Sequence, residues 1–253
     1  MKKLTLTLIV FALTISLCSA EDIGKKTKDR WEFEFSLYGW LAESTTNFAA
    51  RNRTGSVEMD LDYILDNLEN ANYLNFNAKQ GAWTFFLDRS YTSLADDDLG
   101  TRGSINDAQL KLKFLEFGAA FEVYRKQSNG KTFLVEVLLA GRDADIDIST
   151  QFTTFNLVRS KDWFELFSGL RLKYQPSRRW QIWLRNDFTV SSTSAIDNTK
   201  SFTLGAKYRA NRVFSYSLAY KRYDVDFTDG EGLLRLEADI EFKGPALAIT
   251  YHF

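Results

Sequence analysis

The sequence predicts an all-β protein that forms a single transmembrane antiparallel up-and-down β-barrel of about ten strands. Three observations lead to this fold class: ten segments alternate apolar and polar side chains, short turns alternate with longer polar connections, and the last seven residues form an apolar strand ending in Phe253. Strand side chains point to opposite faces in turn, so each segment has one apolar and one polar face. In a membrane barrel the apolar face meets lipid and the polar face lines the lumen.

The C-terminal strand is the clearest element. Leu247, Ile249, Tyr251 and Phe253 fall on one side of it, and smaller or polar residues fall on the other. This ending resembles the C-terminal signal of bacterial outer-membrane β-barrels, which finish on Phe with apolar or aromatic residues at alternate positions before it. The resemblance implies that these four residues form an assembly signal for the barrel-assembly machinery.

The N-terminal residues predict a secretory signal peptide. A short positive segment at Lys2-Lys3 precedes an apolar run over residues 4–17, and small residues follow up to Ala20, where cleavage is expected. A retained membrane anchor is the alternative, but the run is short for a spanning helix, which needs about 20 apolar residues. We therefore expect residues 1–20 to be a signal peptide and residues 21–253 to be the barrel.

Composition excludes several classes of function. Lysine and arginine number 32 against 33 aspartate and glutamate, so no basic surplus indicates nucleic-acid binding. Cys18 is the only cysteine, and its loss with the signal peptide leaves no disulfide, thiol nucleophile or thiolate metal site. His252 is the only histidine, whereas hydrolases of lipids and peptides commonly need one for proton transfer. We expect His252 to be a solvated residue facing the lumen, and we predict no enzyme, no metal and no cofactor.

The strands themselves are bounded by turn signals and phase changes. Gln80-Gly81 and Asn129-Gly130 predict tight turns. Between Phe114 and Leu115 the apolar residues switch from one face of the strand to the other, which predicts either a β-bulge or a strand leaving the membrane. A second switch at Gly244-Pro245 predicts a bulge. The ten predicted strands are residues 31–42, 72–79, 82–93, 108–125, 132–147, 163–174, 180–191, 201–209, 213–227 and 234–253.

The longest connection, residues 43–70, contains apolar spacing over residues 63–68 that suits a short helix capped by Asp62, although an irregular loop fits as well. We expect it to cover part of the outer mouth. Eight or twelve strands are the fallbacks for the count. A soluble lipocalin-like barrel is the alternative fold; it would turn its apolar faces inward, and the Trp and Tyr residues near strand ends argue against it.

Charges of both signs lie on the polar faces and would meet inside the barrel. A ten-stranded barrel is only slightly wider than eight-stranded ones, whose interiors side chains just fill. Three interpretations follow: a packed ion-pair network that closes the lumen, a narrow water-filled pore, or capture of a ligand in the mouth of the barrel. In the pore, a basic cluster of Arg142, Arg171, Arg185 and Lys207 would favour small anions. Lys111, Lys113, Glu122 and Arg209 are also expected to point inward. The predicted lumen network is Glu32, Glu34, Asp88, Glu116, Glu136, Arg142, Glu165, Arg171, Lys173, Arg185, Asp187, Lys207 and Lys221.

A second resemblance spans nearly the whole chain after the signal peptide. The motifs in order are Ser36-Leu37-Tyr38-Gly39-Trp40, Gly141-Arg142-Asp143-Ala144-Asp145, Ser168-Gly169-Leu170-Arg171, Arg185-Asn186-Asp187 and Tyr220-Lys221-Arg222-Tyr223, followed by Lys243-Gly244-Pro245. Together they resemble a broad group of uncharacterised bacterial outer-membrane β-barrel proteins with porin-like names. The resemblance implies a bacterial outer-membrane location and contact with lipid and lipopolysaccharide, and it transfers no catalytic residue.

We therefore expect an integral outer-membrane protein with a structural or surface-interaction role and a largely closed, charge-filled lumen. The alternative is a narrow porin-like channel for small solutes, anions among them. Asp143, Asp145 and Asp147 alternate on one strand face, and we expect a solvated strand end or contacts to cation-bridged lipopolysaccharide there rather than a dedicated calcium site.

Overall fold

The computed structural model describes residues 30–50, 53–96, 105–152, 156–193, 196–229 and 236–253. The predicted signal peptide lies outside this part of the chain. The elements are β1 (Glu32–Trp40), β2 (Glu43–Ala50), β3 (Arg53–Met59), α1 (Leu61–Asp66), β4 (Leu68–Gln80), β5 (Trp83–Asp96), β6 (Ile105–Ser128), β7 (Lys131–Phe152), β8 (Asn156–Gln175), β9 (Trp180–Ser192), β10 (Ile196–Arg209), β11 (Phe214–Asp229) and β12 (Leu236–His252).

Ten of these strands close into one antiparallel barrel, which confirms the predicted count. Their order is β1 followed by β4 to β12, and β12 pairs back onto β1, where Leu37 lies opposite Ile249. The short connections after β4, β6, β8 and β10 all lie at the same end of the barrel, together with the first and last described residues of the chain. We call this end of the barrel the turn end and the opposite one the loop end. The β2–β3 hairpin pairs onto β12 at the loop end.

Apolar side chains face outward and charged side chains face inward, as predicted. Leu139, Leu170 and Leu218 on the outer wall are 64%, 53% and 57% exposed, whereas Glu136 and Glu165 are fully buried inside. A soluble barrel would show the reverse, because burial of apolar area is what stabilises a fold in water. The exposed apolar wall therefore identifies a barrel whose outer solvent is lipid.

Exposed aromatic residues gather near the turn end of this wall. Trp83 packs against Phe121 with ring centroids 4.7 Å apart, and Trp180 packs against Tyr208 at 5.0 Å. Aromatic residues of this kind mark the interfaces of membrane barrels. Towards the loop end the wall changes to charged side chains. Arg89, opposite Leu74, is exposed there, which suits a position near the lipid headgroups.

The loop end extends further from the membrane than the sequence predicted, and it does so as β-structure. Strands β6, β7 and β8 contain 24, 22 and 20 residues, while about 9 to 11 suffice to cross a bilayer. Much of what was predicted as long polar connections is therefore strand. The prediction failed because at the loop end the apolar residues face inward and the polar residues face outward, which reverses the alternation that identified the membrane-spanning strands.

The predicted turns are confirmed, and no bulge lies at either predicted position; the other interpretation of Phe114-Leu115, a strand that leaves the membrane there, agrees with the 24-residue length of β6. Gly81, Asn129 and Gly130 adopt positive φ angles of 59°, 50° and 75°, as tight hairpins require. No register shift occurs at Phe114-Leu115 or at Gly244-Pro245; strand β6 instead shifts its register on β7 between Glu122 and Tyr124. The phase changes have another cause, since inward side chains become apolar at the loop end.

The connection between β1 and β4 contains both a hairpin and a helix. The N-cap of helix α1 is Asp60, whose carboxylate accepts a hydrogen bond of 2.9 Å from the Tyr63 backbone N–H. The prediction that Asp62 is the cap is therefore wrong, since Asp62 lies in the first turn of the helix. Its one buried residue is Ile64, which faces the barrel. Within the described ranges, no helix has the length and hydropathy needed to cross a membrane.

Candidate functional site: the charged interior of the barrel

The interior of the barrel has three levels. At the loop end lies an apolar cluster around Trp163, Val225 and Phe242, which we call the outer core. At mid-depth lies a group of charged side chains around Arg142, which we call the Arg142 cluster. Between this cluster and the turn end lies a cavity of about 370 Å³, which we call the vestibule.

Arg142 is the centre of the second level and is 1% exposed. Its guanidinium donates to three carboxylates from three other strands: Nε lies 2.9 Å from Glu116, Nη1 lies 2.5 Å from Glu165, and Nη2 lies 3.1 Å from Asp187. Tyr223 adds its hydroxyl oxygen at 3.4 Å from Nη1. Every side of the guanidinium that carries N–H groups thus faces an oxygen, as a buried cation requires.

A second arginine, Arg185, offsets part of the remaining negative charge. Arg185 Nε donates to Asp187 at 2.7 Å and its Nη2 donates to Glu116 at 3.0 Å. Each of these two carboxylates therefore bridges both arginines. The cluster holds two guanidinium groups and three carboxylates, and the third carboxylate, Glu165, also accepts hydrogen bonds of 2.7 Å from Thr189 and Thr199.

Aromatic rings enclose the cluster. The Arg142 Cζ lies 4.4 Å from the Phe167 ring centroid and 4.6 Å from that of Tyr223. Arg185 lies 5.4 Å from Phe167 and 5.6 Å from Phe86. These distances are within the range of cation–π attraction, which is strongest where the cation is desolvated. The cluster is therefore packed rather than hydrated at its centre.

Two smaller charged groups lie nearer the turn end. Glu136 is fully buried and accepts hydrogen bonds of 2.6 Å from Arg171 and 3.2 Å from Lys173. Glu34 accepts a hydrogen bond of 2.9 Å from Lys207, across the seam that closes the barrel. Register explains the first group, since Glu136 lies directly opposite Arg171 on the neighbouring strand.

His252 also belongs to the seam. Its Nε2 lies 2.8 Å from the Ser215 hydroxyl, and its Nδ1 lies 3.3 Å from Glu34. It faces the lumen, as predicted, but these contacts replace the solvation that was expected of it. It lies at the turn end of the barrel, opposite Glu34 on β1.

The remaining predicted residues have other surroundings. Asp88 accepts a hydrogen bond of 2.6 Å from the Tyr38 hydroxyl and one of 2.9 Å from Asn75. Lys221 lies over aromatic rings, 4.7 Å from that of Trp40. Glu32 is exposed at the rim of the vestibule.

Some inward assignments beyond this set need correction. The predicted inward direction of Lys113 is wrong, because its side chain lies on the outer wall. There its Nζ contacts Asp145 at 2.7 Å and Asp147 at 3.1 Å. Lys111 shares its face, since both alternate with Leu112, which lies inside. Inside, Glu122 pairs with Arg125 next to the register shift of β6. Arg209 lies at the rim of the vestibule.

The vestibule has a marked excess of positive charge. Nine lysine and arginine residues line it against three glutamate and aspartate residues. Part of the excess is offset by Glu136, which contacts two of these cations from the wall. Such a surface attracts anions over distances of about one Debye length, roughly 8 Å at physiological salt. The lining cations are Lys79, Arg171, Lys173, Arg178, Arg179, Arg185, Lys207, Arg209 and Lys221.

Sequence reasoning missed the neutral members of the interior. Tyr223, Thr199 and Phe167 contact the Arg142 cluster directly, and Trp163 packs above it. Their inward direction was available from the period of their strands, because Tyr223 alternates with the outward Arg222. That they contact the buried charges could not be predicted, because those contacts depend on the register between neighbouring strands, which the sequence of one strand does not reveal.

The acidic residues predicted to alternate on β7 lie on the outer wall at the loop end. Asp145 and Asp147 share Lys113, and Ser160 donates a hydrogen bond of 2.6 Å to Asp147. No group of three or more residues with metal-ligand side chains comes together among the residues whose positions are described.

Comparisons with known proteins reveal relatives in architecture only. No protein-family model and no curated protein matches the sequence. The outer membrane protease OmpT from Escherichia coli aligns over 90% of this chain and 98% of its own, with 10% identity and a TM-score of 0.49. Ail, the attachment invasion locus protein of Yersinia pestis, in complex with the heparin analogue sucrose octasulfate, aligns over 88% and 99%, with 11% identity and a TM-score of 0.37. Neisserial surface protein A aligns over 88% and 97%, with 8% identity and a TM-score of 0.33. These likenesses are too distant to carry an argument about activity or ligand.

Proposed function

We propose that this chain is a non-enzymatic integral protein of the bacterial outer membrane whose lumen is closed and whose work is structural or done by its outer surface. The turn end faces the periplasm in this proposal, because outer-membrane barrels have short periplasmic turns. The observation that supports closure most strongly is the Arg142 cluster. Its members come from β6, β7, β8, β9, β10 and β11, so it reaches across the lumen from one wall to the other.

Two further observations support a closed lumen. The vestibule and the outer core lie on opposite sides of the cluster, and the cavity at the loop end shares no lining residue with the vestibule. A water-filled path through the cluster would have to separate Arg142 from its carboxylates. Breaking one buried pair costs about 3–5 kcal/mol, because a charge is left uncompensated in a low-dielectric site.

Conductance in planar lipid bilayers tests this proposal. The wild-type barrel is expected to give no unitary current steps. Arg142→Ala removes the cation that holds three carboxylates together, so their repulsion should open the lumen and produce cation-preferring steps. Arg222→Ala, at an exposed pair on the outer wall, is the matched control and should stay silent.

A narrow channel for small anions is the second candidate, and the positive excess of the vestibule favours it. It predicts anion-selective steps from the wild type itself. Reproducible steps of that kind in properly folded barrel would rule out the closed lumen and leave the channel as the better proposal.

Two partners are part of the proposal. The outer wall at the loop end carries exposed charges such as Lys113 and Arg222, which suit contact with lipopolysaccharide.

Phe253 is 59% exposed beside Phe33, and the apolar face that it ends is available to the barrel-assembly machinery. Phe253→Ser should lower the amount of barrel in outer-membrane fractions without preventing refolding in vitro; unchanged amounts in the cell would rule out the assembly function.

A further inference from the structure

The loop-end half of the barrel contains a cavity that no part of the proposed function uses. Its volume is about 210 Å³, and its walls are almost wholly apolar, with Leu94, Leu112, Phe114 and Phe242 among them. The Tyr73 hydroxyl, one of the few polar groups there, is already engaged with the Thr92 hydroxyl at 2.5 Å. Cavities lined in this way stay dry and bind apolar molecules rather than water.

The barrel wall beside this cavity is interrupted. Strands β1 and β4 pair only as far as Tyr38 and Tyr73. Beyond that level the chain of β1 continues along β12 as β2, while the first residues of β4 pair with β5 alone within the described ranges. The wall there consists of side chains and of α1 instead of a continuous sheet.

The cavity reaches this interruption from inside. Residues of both edges line it: Gly39 and Leu41 on one side, and Leu68 and Ala71 on the other. Ile64 of α1 covers it from the loop end and is 8% exposed. Gly39 adds no side chain to the edge, and a Cβ built on it would meet nothing within 4 Å. The short helix α1 and the side chains of the two edges therefore separate the cavity from the outside of the barrel.

The outer surface at the interruption is itself apolar. Leu65 on α1 and Leu68 on the β4 edge are exposed large apolar residues, and the exposed Leu37 lies one residue before the last β1–β4 pair. A molecule that dissolves in the membrane would meet these side chains before it met the cavity. We propose that the cavity binds a small hydrocarbon group, which enters sideways between β1 and β4 beneath α1. A cavity of roughly 150 Å³ takes up benzene, so this one suits about six to ten carbon atoms.

This chemistry has two possible sources: a free apolar solute, or the end of an acyl chain from the surrounding leaflet. The test uses the full barrel in lipid nanodiscs with 5-fluorotryptophan at its tryptophan positions, and p-xylene as the probe. Trp40 lines the cavity, whereas Trp83 and Trp180 lie on the outer wall. The fluorine resonance of Trp40, assigned with Trp40→Phe, should shift saturably, and those of Trp83 and Trp180 should shift only in proportion to dissolved probe.

Blocking variants make the result specific. Ala71→Phe fills the edge of the interruption and should weaken p-xylene binding at least tenfold, while Ala206→Phe, on the outer wall of β10, should leave it unchanged. If Ala71→Phe fails to refold, Ala42→Phe fills the cavity from the other edge. Equal affinity in all folded variants, or a linear shift of Trp40, would overturn the proposal.

The choice of lipid separates the two sources. Straight-chain dimyristoyl phosphatidylcholine can insert a chain end, whereas the methyl-branched chains of diphytanoyl phosphatidylcholine are too wide. Tighter p-xylene binding in the branched lipid indicates that an acyl chain competes for the cavity; equal binding in both lipids indicates a site for a free solute. Either result supports the hydrocarbon site, and neither depends on whether the lumen conducts.

Discussion

Among single residues, Arg142 shows how much the barrel depends on one buried cation. Its side chain contacts Glu116, Glu165 and Asp187, two of which are almost wholly buried. Burying four charged groups in a membrane barrel is unfavourable unless each is paired. The pairing is nearly complete here, so the cluster fixes the relative positions of the strands that contribute to it.

We expect Arg142→Ala to lower the free energy of unfolding by about 3–5 kcal/mol, since it leaves carboxylates buried without their cation. Arg222→Ala is the control, because the exposed pair of Arg222 with Asp224 is expected to contribute under about 1 kcal/mol. Urea titration in lipid vesicles, followed by tryptophan fluorescence, measures both. Equal midpoints for the two variants would contradict a structural role for the cluster.

Which residues face inward could be predicted one by one, but their partners could not. The alternation along β7 and β8 placed Glu136, Arg142 and Arg171 on polar faces correctly. Pairing depends on register, and register depends on turns and on neighbouring strands. Lys113 was misplaced for a related reason: its neighbours Leu112 and Phe114 pack in the outer core, so Lys113 between them faces outward.

At the scale of elements, the contact between β12 and the bend after β1 is the tightest feature of the seam. Trp40 lies opposite Ala246 and Glu43 opposite Lys243, so β1 and β2 keep one register along β12 across the bend. A Cβ on Gly244 would lie 1.8 Å from the Leu41 carbonyl oxygen, which is a backbone atom that cannot turn aside. The bend exists because this position has no side chain.

Gly244→Ala should therefore loosen the seam and cost about 1–3 kcal/mol, as overpacking typically does. Gly39→Ala is a matched change on the partner strand, where the new methyl group meets nothing within 4 Å. The urea midpoint and the heat-dependent gel mobility of the folded barrel measure the difference. A Gly244→Ala barrel as stable as Gly39→Ala would show that the bend relaxes freely.

The sequence indicated a special feature at Gly244-Pro245 but not its nature. A glycine and a proline within an apolar alternation suggest a bulge, since both weaken regular pairing. The long-range approach of Leu41 is a property of the closed barrel, and its partner lies about 200 residues earlier in the chain. The location of helix α1 was also predictable, but its N-cap residue was not, because Asp60 and Asp62 both suit the N-cap position.

For the whole molecule, two different interiors share one outer wall. At the loop end the inward residues are apolar and pack around Trp163 and Phe242; at mid-depth and below they are charged. The loop-end strands stand outside the membrane, where both faces can pack or meet water as in a soluble barrel. The change of interior therefore coincides with the level at which the outer wall changes from leucine and phenylalanine to charged side chains.

This division makes arginine substitutions on the outer wall sensitive to depth. Leu170→Arg, within the apolar band, should lower the free energy of unfolding by about 2–4 kcal/mol, as expected for a cation near the bilayer midplane. Leu65→Arg on α1 is about as exposed but lies at the loop-end edge of the apolar band, near the lipid headgroups, so it should cost at most about 1 kcal/mol. Urea titration in vesicles gives both values. If the two substitutions cost the same, the apolar wall does not sit in lipid at the level that its exposed leucines indicate, and the membrane orientation of the barrel would have to be abandoned.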